Sequence, residues 1–298
     1  MQILLSGANG FLGKHIYSQL ASHSEIITLG RTGCVINCDL AKSIPSLPNV
    51  DTVVHAAGMA HFVPLTSLET QAFFEVNLNG TANLLKGLEQ TRNLPNAFVF
   101  ISSVAVYGLE SGIMIPEESA LLAKDPYGRS KIYAEELVVT WCKKNKIICT
   151  ILRLPLLVGE TPPGNLGAMI KGIQKGFFFN IAGGKAKKSM VLADDVAKAI
   201  LDVAKIGGIY NLTDGYHPSF AELSEQISIQ LGKNKPLNLP FYVANVLARL
   251  GDIFGNKVPI NTNKLNKITS DLTFEDSKAR EAFGWNPTPV LQGFKFYK

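Results

Sequence analysis

The feature that most constrains this chain is a glycine triplet, Gly7-Ala8-Asn9-Gly10-Phe11-Leu12-Gly13, set between an apolar run at Gln2–Ser6 and a helical stretch over 11–22. Glycine lets a backbone turn tightly and lets a pyrophosphate approach it closely. The helix start then offers free N–H groups and the favourable end of its dipole to an anion. The spacing is GxxGxxG, one residue wider in the first gap than the usual dinucleotide fingerprint, and many ordinary turns are rich in glycine. The strand–turn–helix context decides for a phosphate-cradling loop, with Gly7, Asn9, Gly10, Phe11, Leu12 and Gly13 as its candidate residues.

The rest of the first half repeats the alternation. Apolar runs at 26–29, 34–38, Thr52–His55, 97–102 and 147–152 read as strands, and 66–90 and 127–144 as helices. Continuous apolar strands separated by helices imply a parallel sheet covered on both faces. Right-handed crossovers wind such units into a doubly wound α/β, or Rossmann, sheet. Beyond Arg153 the pattern changes. Pro155, Pro162, Pro163 and Gly164 interrupt it, and helices follow at 168–176, 194–205 and 219–231, with a short strand near 209–212. The reading is a dinucleotide-binding domain over 1–153 and a smaller α-rich substrate lobe over 154–298, interleaved with late parts of the sheet.

Composition removes several other classes. With 298 residues, 46% apolar and 18% charged, the chain is globular and not disordered. A net charge of +5 is too mild to argue for nucleic acid; it suits an anionic small molecule and an ordinary surface equally. Cys34, Cys38, Cys142 and Cys149 form no CxxC pair and no histidine completes a metal set, so no metal and a reduced, cytoplasmic setting are expected. With the first strand expected to begin at Gln2, no signal peptide is expected. No run reaches the roughly 18 apolar residues of a membrane span, so no stable insertion is expected. The nearest, 239–254, contains Asn245, Arg249 and Asp252. It reads as an amphipathic helix packed on the protein body, with membrane-surface contact as the alternative.

The second strand ends in Leu29-Gly30-Arg31-Thr32. A carboxylate there would bind a ribose 2′-OH, whereas an arginine accommodates a 2′-phosphate. Arg31 therefore favours NADP over NAD, against the bland alternative of a solvated arginine in a turn. Further on, Tyr127 and Lys131 stand four residues apart on one helix face. An ammonium beside a phenol is expected to lower its pKa toward working pH and make it a usable acid or base. The strand before that helix ends in Ser102-Ser103, where α/β sheets bind ligands. One serine can hold a reacting oxygen; the bland alternative, for Ser102 in particular, is capping of backbone groups.

Together these elements resemble the extended short-chain dehydrogenase/reductases, in the NAD-dependent epimerase/dehydratase (nucleotide-sugar) branch. The resemblance also rests on His55-Ala56-Ala57-Gly58, Asn77-Leu78-Asn79-Gly80-Thr81, Asp195-Val196-Ala197, and the stretch from Asp276 to Trp285 with Pro287. It implies a catalytic set of Ser103, Tyr127 and Lys131. It implies cofactor contacts from Asp39 and Leu40 at the adenine, Ala56, Ala57 and Gly58 at pyrophosphate and ribose, Lys131 at the nicotinamide ribose, and Leu154 and Pro155 at the carboxamide. Asn165 and Lys188 fall where relatives hold the sugar nucleotide's phosphates. A loop asparagine and a solvated basic loop with Lys185 and Lys187 are the bland alternatives. Relatives often dimerise through the helices over 66–90 and 127–144.

Departures from the branch narrow the expectation. Val104-Ala105 stand where 4,6-dehydratases carry an Asp-Glu pair, which disfavours that elimination. The chain is expected to be an NADP(H)-dependent reductase of a nucleotide-linked, UDP-type 4-keto sugar. A UDP-hexose 4-epimerase with retained NAD is the alternative. A cofactor-sensing regulatory protein is remoter, because such a protein has no need of the intact Ser103/Tyr127/Lys131 set.

Overall fold

The structure, a computed structural model, describes residues 1–60, 62–253 and 261–295. Its strands are β1 (Gln2–Ser6), β2 (Glu25–Gly30), β3 (Ile36–Asn37), β4 (Thr52–His55), β5 (Ala97–Ser103), β6 (Gly112–Ile115), β7 (Ile148–Leu154), β8 (Leu156–Val158), β9 (Phe179–Ile181), β10 (Met190–Leu192), β11 (Gly208–Asn211), β12 (Leu237–Leu239) and β13 (Leu272–Phe274). The principal helices are α1 (Phe11–Leu20), α2 (Ser67–Phe74), α3 (Gly80–Glu89), α4 (Pro126–Asn145), α5 (Gly164–Lys175), α6 (Ala193–Ile206), α7 (Phe220–Leu231), α8 (Phe241–Asp252) and α9 (Thr262–Thr269).

Seven strands form one parallel sheet in the order β3-β2-β1-β4-β5-β7-β11. The order reverses between β1 and β4, and this switch point is where a doubly wound sheet opens a crevice at its C-terminal edge. Side chains alternate between the two faces of each strand. Ile3 and Leu5 of β1 join α1 and α6 in one core layer. Leu4 joins α3 and α4 in the other. The continuous apolar runs follow from this burial on both sides. The core of the first layer also draws in Val191, Tyr210 and Trp285, so the late chain completes the sheet that the early chain begins.

Three local features differ from the sequence-based expectation. The helical stretch 66–90 is split by a π-turn at Glu75–Asn79. There the side chain of Asn77 is drawn off the helix to the backbone of Met59 and to Ser130, and π-turns commonly mark such a demand. The Pro162-Pro163-Gly164 stretch starts α5 instead of breaking the chain, with Pro163 as N-cap. Segments β6, β8, β9, β10, β12 and β13 pair as three small parallel units, β8–β10, β9–β12 and β6–β13. The β6–β13 unit joins residues about 160 positions apart, which no local pattern announces. Helix α8 does form within 239–254, but it packs through Ala244, Ala248 and Gly251 and turns its large side chains outward. Phe254 lies outside the described residues.

Candidate active site

The glycine loop is built by main-chain crowding at the switch point. Gly7 has φ +75°, and a Cβ there would stand 2.6 Å from the Ala57 nitrogen. A Cβ on Gly13 would stand 2.0 Å from the Gly7 carbonyl oxygen. Gly10 caps α1 with no side-chain hydrogen bond to the helix, which leaves its first N–H groups for an outside anion. Two close-packed backbones and an uncapped helix start fit a dinucleotide pyrophosphate. Leu12 is buried in the core, and Phe11 lies against His15 and Gly159. Asn9 donates from its amide to the Thr32 carbonyl at 2.8 Å, tying the loop to the exposed turn that carries Arg31. Asp39 and Leu40 follow β3. Leu40 is buried, and its carbonyl accepts from Asn83 at 2.8 Å.

Beneath the crevice lies a buried chain of hydrogen bonds. Thr81 Oγ1 donates to the Asn77 carbonyl at 2.6 Å, so it must accept from His55 Nε2 at 2.9 Å. His55 Nδ1 is then an acceptor for Ser6 Oγ at 2.5 Å, and Ser6 Oγ accepts in turn from the Ala57 N–H at 3.2 Å. Burial, with the Lys131 charge nearby, pulls the His55 pKa down to about 3, so the ring stays neutral. Asn77 donates to Ser130 Oγ at 2.9 Å, and Ser130 donates to the Tyr127 carbonyl at 2.7 Å. The phosphate side of the crevice is thereby joined to the start of α4.

Tyr127 lies in the first turn of α4, whose N-cap Asp125 accepts from the Gly128 N–H at 2.9 Å. Its hydroxyl is hydrogen-bonded to Ser103. Burial pushes the phenol above its usual pKa, opposed by the Ser103 bond. The expected lowering by Lys131 is not found. Lys131 Nζ donates to the Ile101 carbonyl at 2.6 Å and lies 4.2 Å from the Phe100 ring centroid, on the Gly58 side. Burial lowers its pKa to about 8. The two serines turn to different partners. Ser103 caps the turn Val104–Tyr107, accepting from the Ala105 N–H at 3.2 Å, while Ser102 donates to Glu135 at 2.5 Å.

Glu135, one turn beyond Lys131, forms a buried pair with Arg153 at 2.8 Å, the side chains only 5% and 4% exposed. Arg153 also donates to the Tyr107 hydroxyl at 3.1 Å and the Glu117 carbonyl at 2.9 Å, so every nitrogen of its guanidinium is engaged. This network joins β5, α4 and β7 directly behind Ser103, Lys131, Leu154 and Pro155. Sequence reasoning gave no role to His55, Asn77 or Glu135 individually. The signal available was that His55 and Asn77 open motifs of the resemblance and that Glu135 lies one helical turn beyond Lys131.

Asn165 stands exposed in the first turn of α5. Lys188 precedes β10 and pairs by a β-bridge with Leu272. Burial lowers the Lys188 pKa, opposed by Asp271, and the nearby Lys267 charge lowers it further. Lys267, on α9, is a second cation beside Lys188 that the sequence reading did not single out as a ligand. It pairs with Glu110 at 3.0 Å. Among the described residues no cluster of His, Cys, Asp or Glu is arranged to hold a metal, and all four cysteines are free thiols.

A dinucleotide cradle at the switch point, with Ser, Tyr and Lys at its C-terminal edge, defines the class of nicotinamide-dependent enzymes on a doubly wound sheet. The chain belongs to the NAD dependent epimerase/dehydratase family, whose model matches residues 3–212. It is 28% identical to a UDP-glucose 4-epimerase of Vibrio cholerae, over 98% of this chain and 93% of the relative. It is also 28% identical to a GDP-6-deoxy-D-mannose reductase of Pseudomonas aeruginosa, over 76% and 79%. The structure of RMD from Pseudomonas aeruginosa complexed with NADPH superposes with TM-score 0.71 and 22% identity, covering 98% of this chain and 96% of that one. The chain is thus an NAD(P)-dependent enzyme of a family that contains both sugar-nucleotide epimerases and reductases.

Proposed function

We propose that this enzyme is an NADPH-dependent reductase of a nucleotide-linked, UDP-type 4-keto sugar. The observation that carries the reading is the end of β2. The exposed Arg31 turn is tied to the phosphate loop through Asn9, and no carboxylate stands in it. An arginine at that place suits a 2′-phosphate. The likeness to a reductase and to an NADPH-bound structure supports the same choice. NADPH supplies the hydride. Tyr127, its pKa raised by burial, holds its proton at neutral pH and donates it to the reduced oxygen. Ser103 steadies that oxygen by hydrogen bonding. Lys131 leaves the Ile101 carbonyl to hold the nicotinamide ribose, with Gly58 beside it. Asp39, Leu40, Ala56, Ala57, Leu154 and Pro155 complete the cofactor contacts. Lys188 and Lys267 hold the sugar nucleotide's diphosphate, with Asn165 at the mouth.

The test is calorimetry on cofactor-stripped protein with NADPH and NADH, each with and without UDP-sugars. NADPH is expected to bind more tightly, and Arg31→Ala to lose about tenfold or more in NADPH affinity with NADH unchanged. Equal loss for both cofactors removes Arg31 from the 2′-phosphate site. The likeness to the Vibrio cholerae enzyme favours a second reading, a 4-epimerase with retained NAD. NAD released by denaturing the purified protein decides for that reading.

A further inference from the structure

The glycine loop brings no charge to the end of β2. Asn9, its polar residue, spends its amide on the Thr32 carbonyl at 2.8 Å and on Cys34 Sγ at 3.6 Å. It therefore fixes the turn after β2 and has no donor left for a ligand. Arg31 stands in that turn as a single exposed cation. A phosphate monoester such as a ribose 2′-phosphate carries about −1.5 to −2 charges at neutral pH, and one exposed ion pair holds it weakly. A site selective for that group needs a second cation.

Helix α1 carries one. Leu12, Ile16 and Leu20 face the core, and His15 turns toward α6, where it meets Asp194 at 2.6 Å. The remaining flank, with Lys14 and Tyr17, looks toward β2. Between that flank, Thr28 of β2 and Gly33 of the turn lies an open cavity of about 320 Å³ that reaches Asn9. It has room for a phosphate group and several waters of ~30 Å³ each. Among the described residues Lys14 is the only charged residue lining it. Among those residues, too, neither the Lys14 ammonium nor the Arg31 guanidinium has a hydrogen-bonded or ion-paired partner. The acids of residues 1–50 are engaged elsewhere. Glu25, at the far end of β2, accepts from Gln2 at 2.9 Å, and Asp39 stands 3.9 Å from Lys42.

We infer that Lys14 is the second cation of the 2′-phosphate site, closing on the phosphate from α1 while Arg31 closes from the end of β2. The inference rests on the NADPH reading above and adds to it a residue and a cavity. Side chains of a helix lean toward its N-terminus, so Lys14, one turn into α1, leans toward the Gly10 start of the helix. Arg31 offers a planar fork to two phosphate oxygens, and Lys14 a point charge on a flexible stem. The Thr28 hydroxyl accepts from the Val35 N–H at 2.9 Å, which leaves its own proton for a phosphate oxygen in the cavity.

The test is calorimetry on the cofactor-stripped full chain with NADPH and with NADH. It compares the wild type, Lys14→Gln, Lys14→Arg, and Lys14→Gln combined with Arg31→Ala. Lys14→Gln is expected to weaken NADPH binding about fivefold and leave NADH binding unchanged, which also shows that the variant is folded. Lys14→Arg keeps the charge and is expected to retain most of the NADPH affinity. The double variant should bind the two cofactors alike, and the wild-type preference for NADPH should shrink as salt rises. If the wild type prefers NADPH but Lys14→Gln keeps that preference in full, or loses both cofactors equally, the role of Lys14 is overturned and that of Arg31 stands. A wild type that binds NADPH no better than NADH removes the NADPH reading itself, and this inference with it.

Discussion

The two walls of the crevice are made of different material. On the β1/β4 side the contacts are main chain: Gly7 against Ala57, Gly13 against the Gly7 carbonyl, and an uncapped helix start. On the lobe side the contacts proposed for the substrate, Lys188, Lys267 and Asn165, are tips of side chains carried by short strands and helices. A backbone-built wall tolerates almost no change, because a single added methyl meets an atom that cannot move. A side-chain wall can be altered residue by residue with the fold intact. This difference accounts for a family whose cofactor loop is legible while its reactions diverge, and function has to be argued from the site.

Four measurements would break or sharpen the contrast. The largest effect is expected where the walls meet. Tyr127→Phe should lower turnover by roughly 10²–10⁴-fold with cofactor affinity nearly unchanged. Undiminished turnover in that variant would remove Tyr127 from the chemistry.

Next comes acid. His55 is neutral in the fold, with a pKa of about 3 against 6.5 unfolded. Between those values the unfolded chain takes up a proton that the folded chain refuses, so stability falls as pH drops from about 6.5, by up to ~4 kcal/mol near pH 3. Urea unfolding at a series of pH values should show that slope, and His55→Gln should flatten it. An unchanged slope in the variant assigns the acid sensitivity elsewhere.

Gly13→Ala tests the backbone wall directly. Overpacking against the Gly7 carbonyl should cost about 3 kcal/mol and a large part of the cofactor affinity. A variant that melts and binds NADPH like the wild type would show that the loop yields after all. The smallest effect belongs to the other wall. Lys188→Gln should raise KM for a diphosphate-linked substrate about tenfold, leaving Tm and NADPH affinity in place. If NADPH affinity falls instead, Lys188 serves the cofactor, and the division between the walls is wrong.

The glycine loop, the central strands and the Tyr127/Lys131 spacing were all legible, because each depends on residues within a few positions of one another. What failed was local inference about direction. Lys131 does share a face with Tyr127, yet its long stem runs under the sheet edge to the Ile101 carbonyl. Ser102, read as a cap of backbone groups, donates instead to Glu135, because strand alternation turns it away from its neighbour Ser103. The outward turn of α8 was hidden for a related reason. Its stripes of small and large residues have the same period, and periodicity does not say which stripe faces in.

By itself the sequence determined the parallel α/β layer and its phosphate loop, since burial on both faces and the need for glycine leave marks on neighbouring residues. Tertiary structure alone decided the π-turn that brings Asn77 to Ser130 and the Glu135–Arg153 pair that ties α4 to β7. Each of those joins residues far apart in the chain. The energy that fixes them, satisfaction of buried polar groups, exists only once the elements have packed.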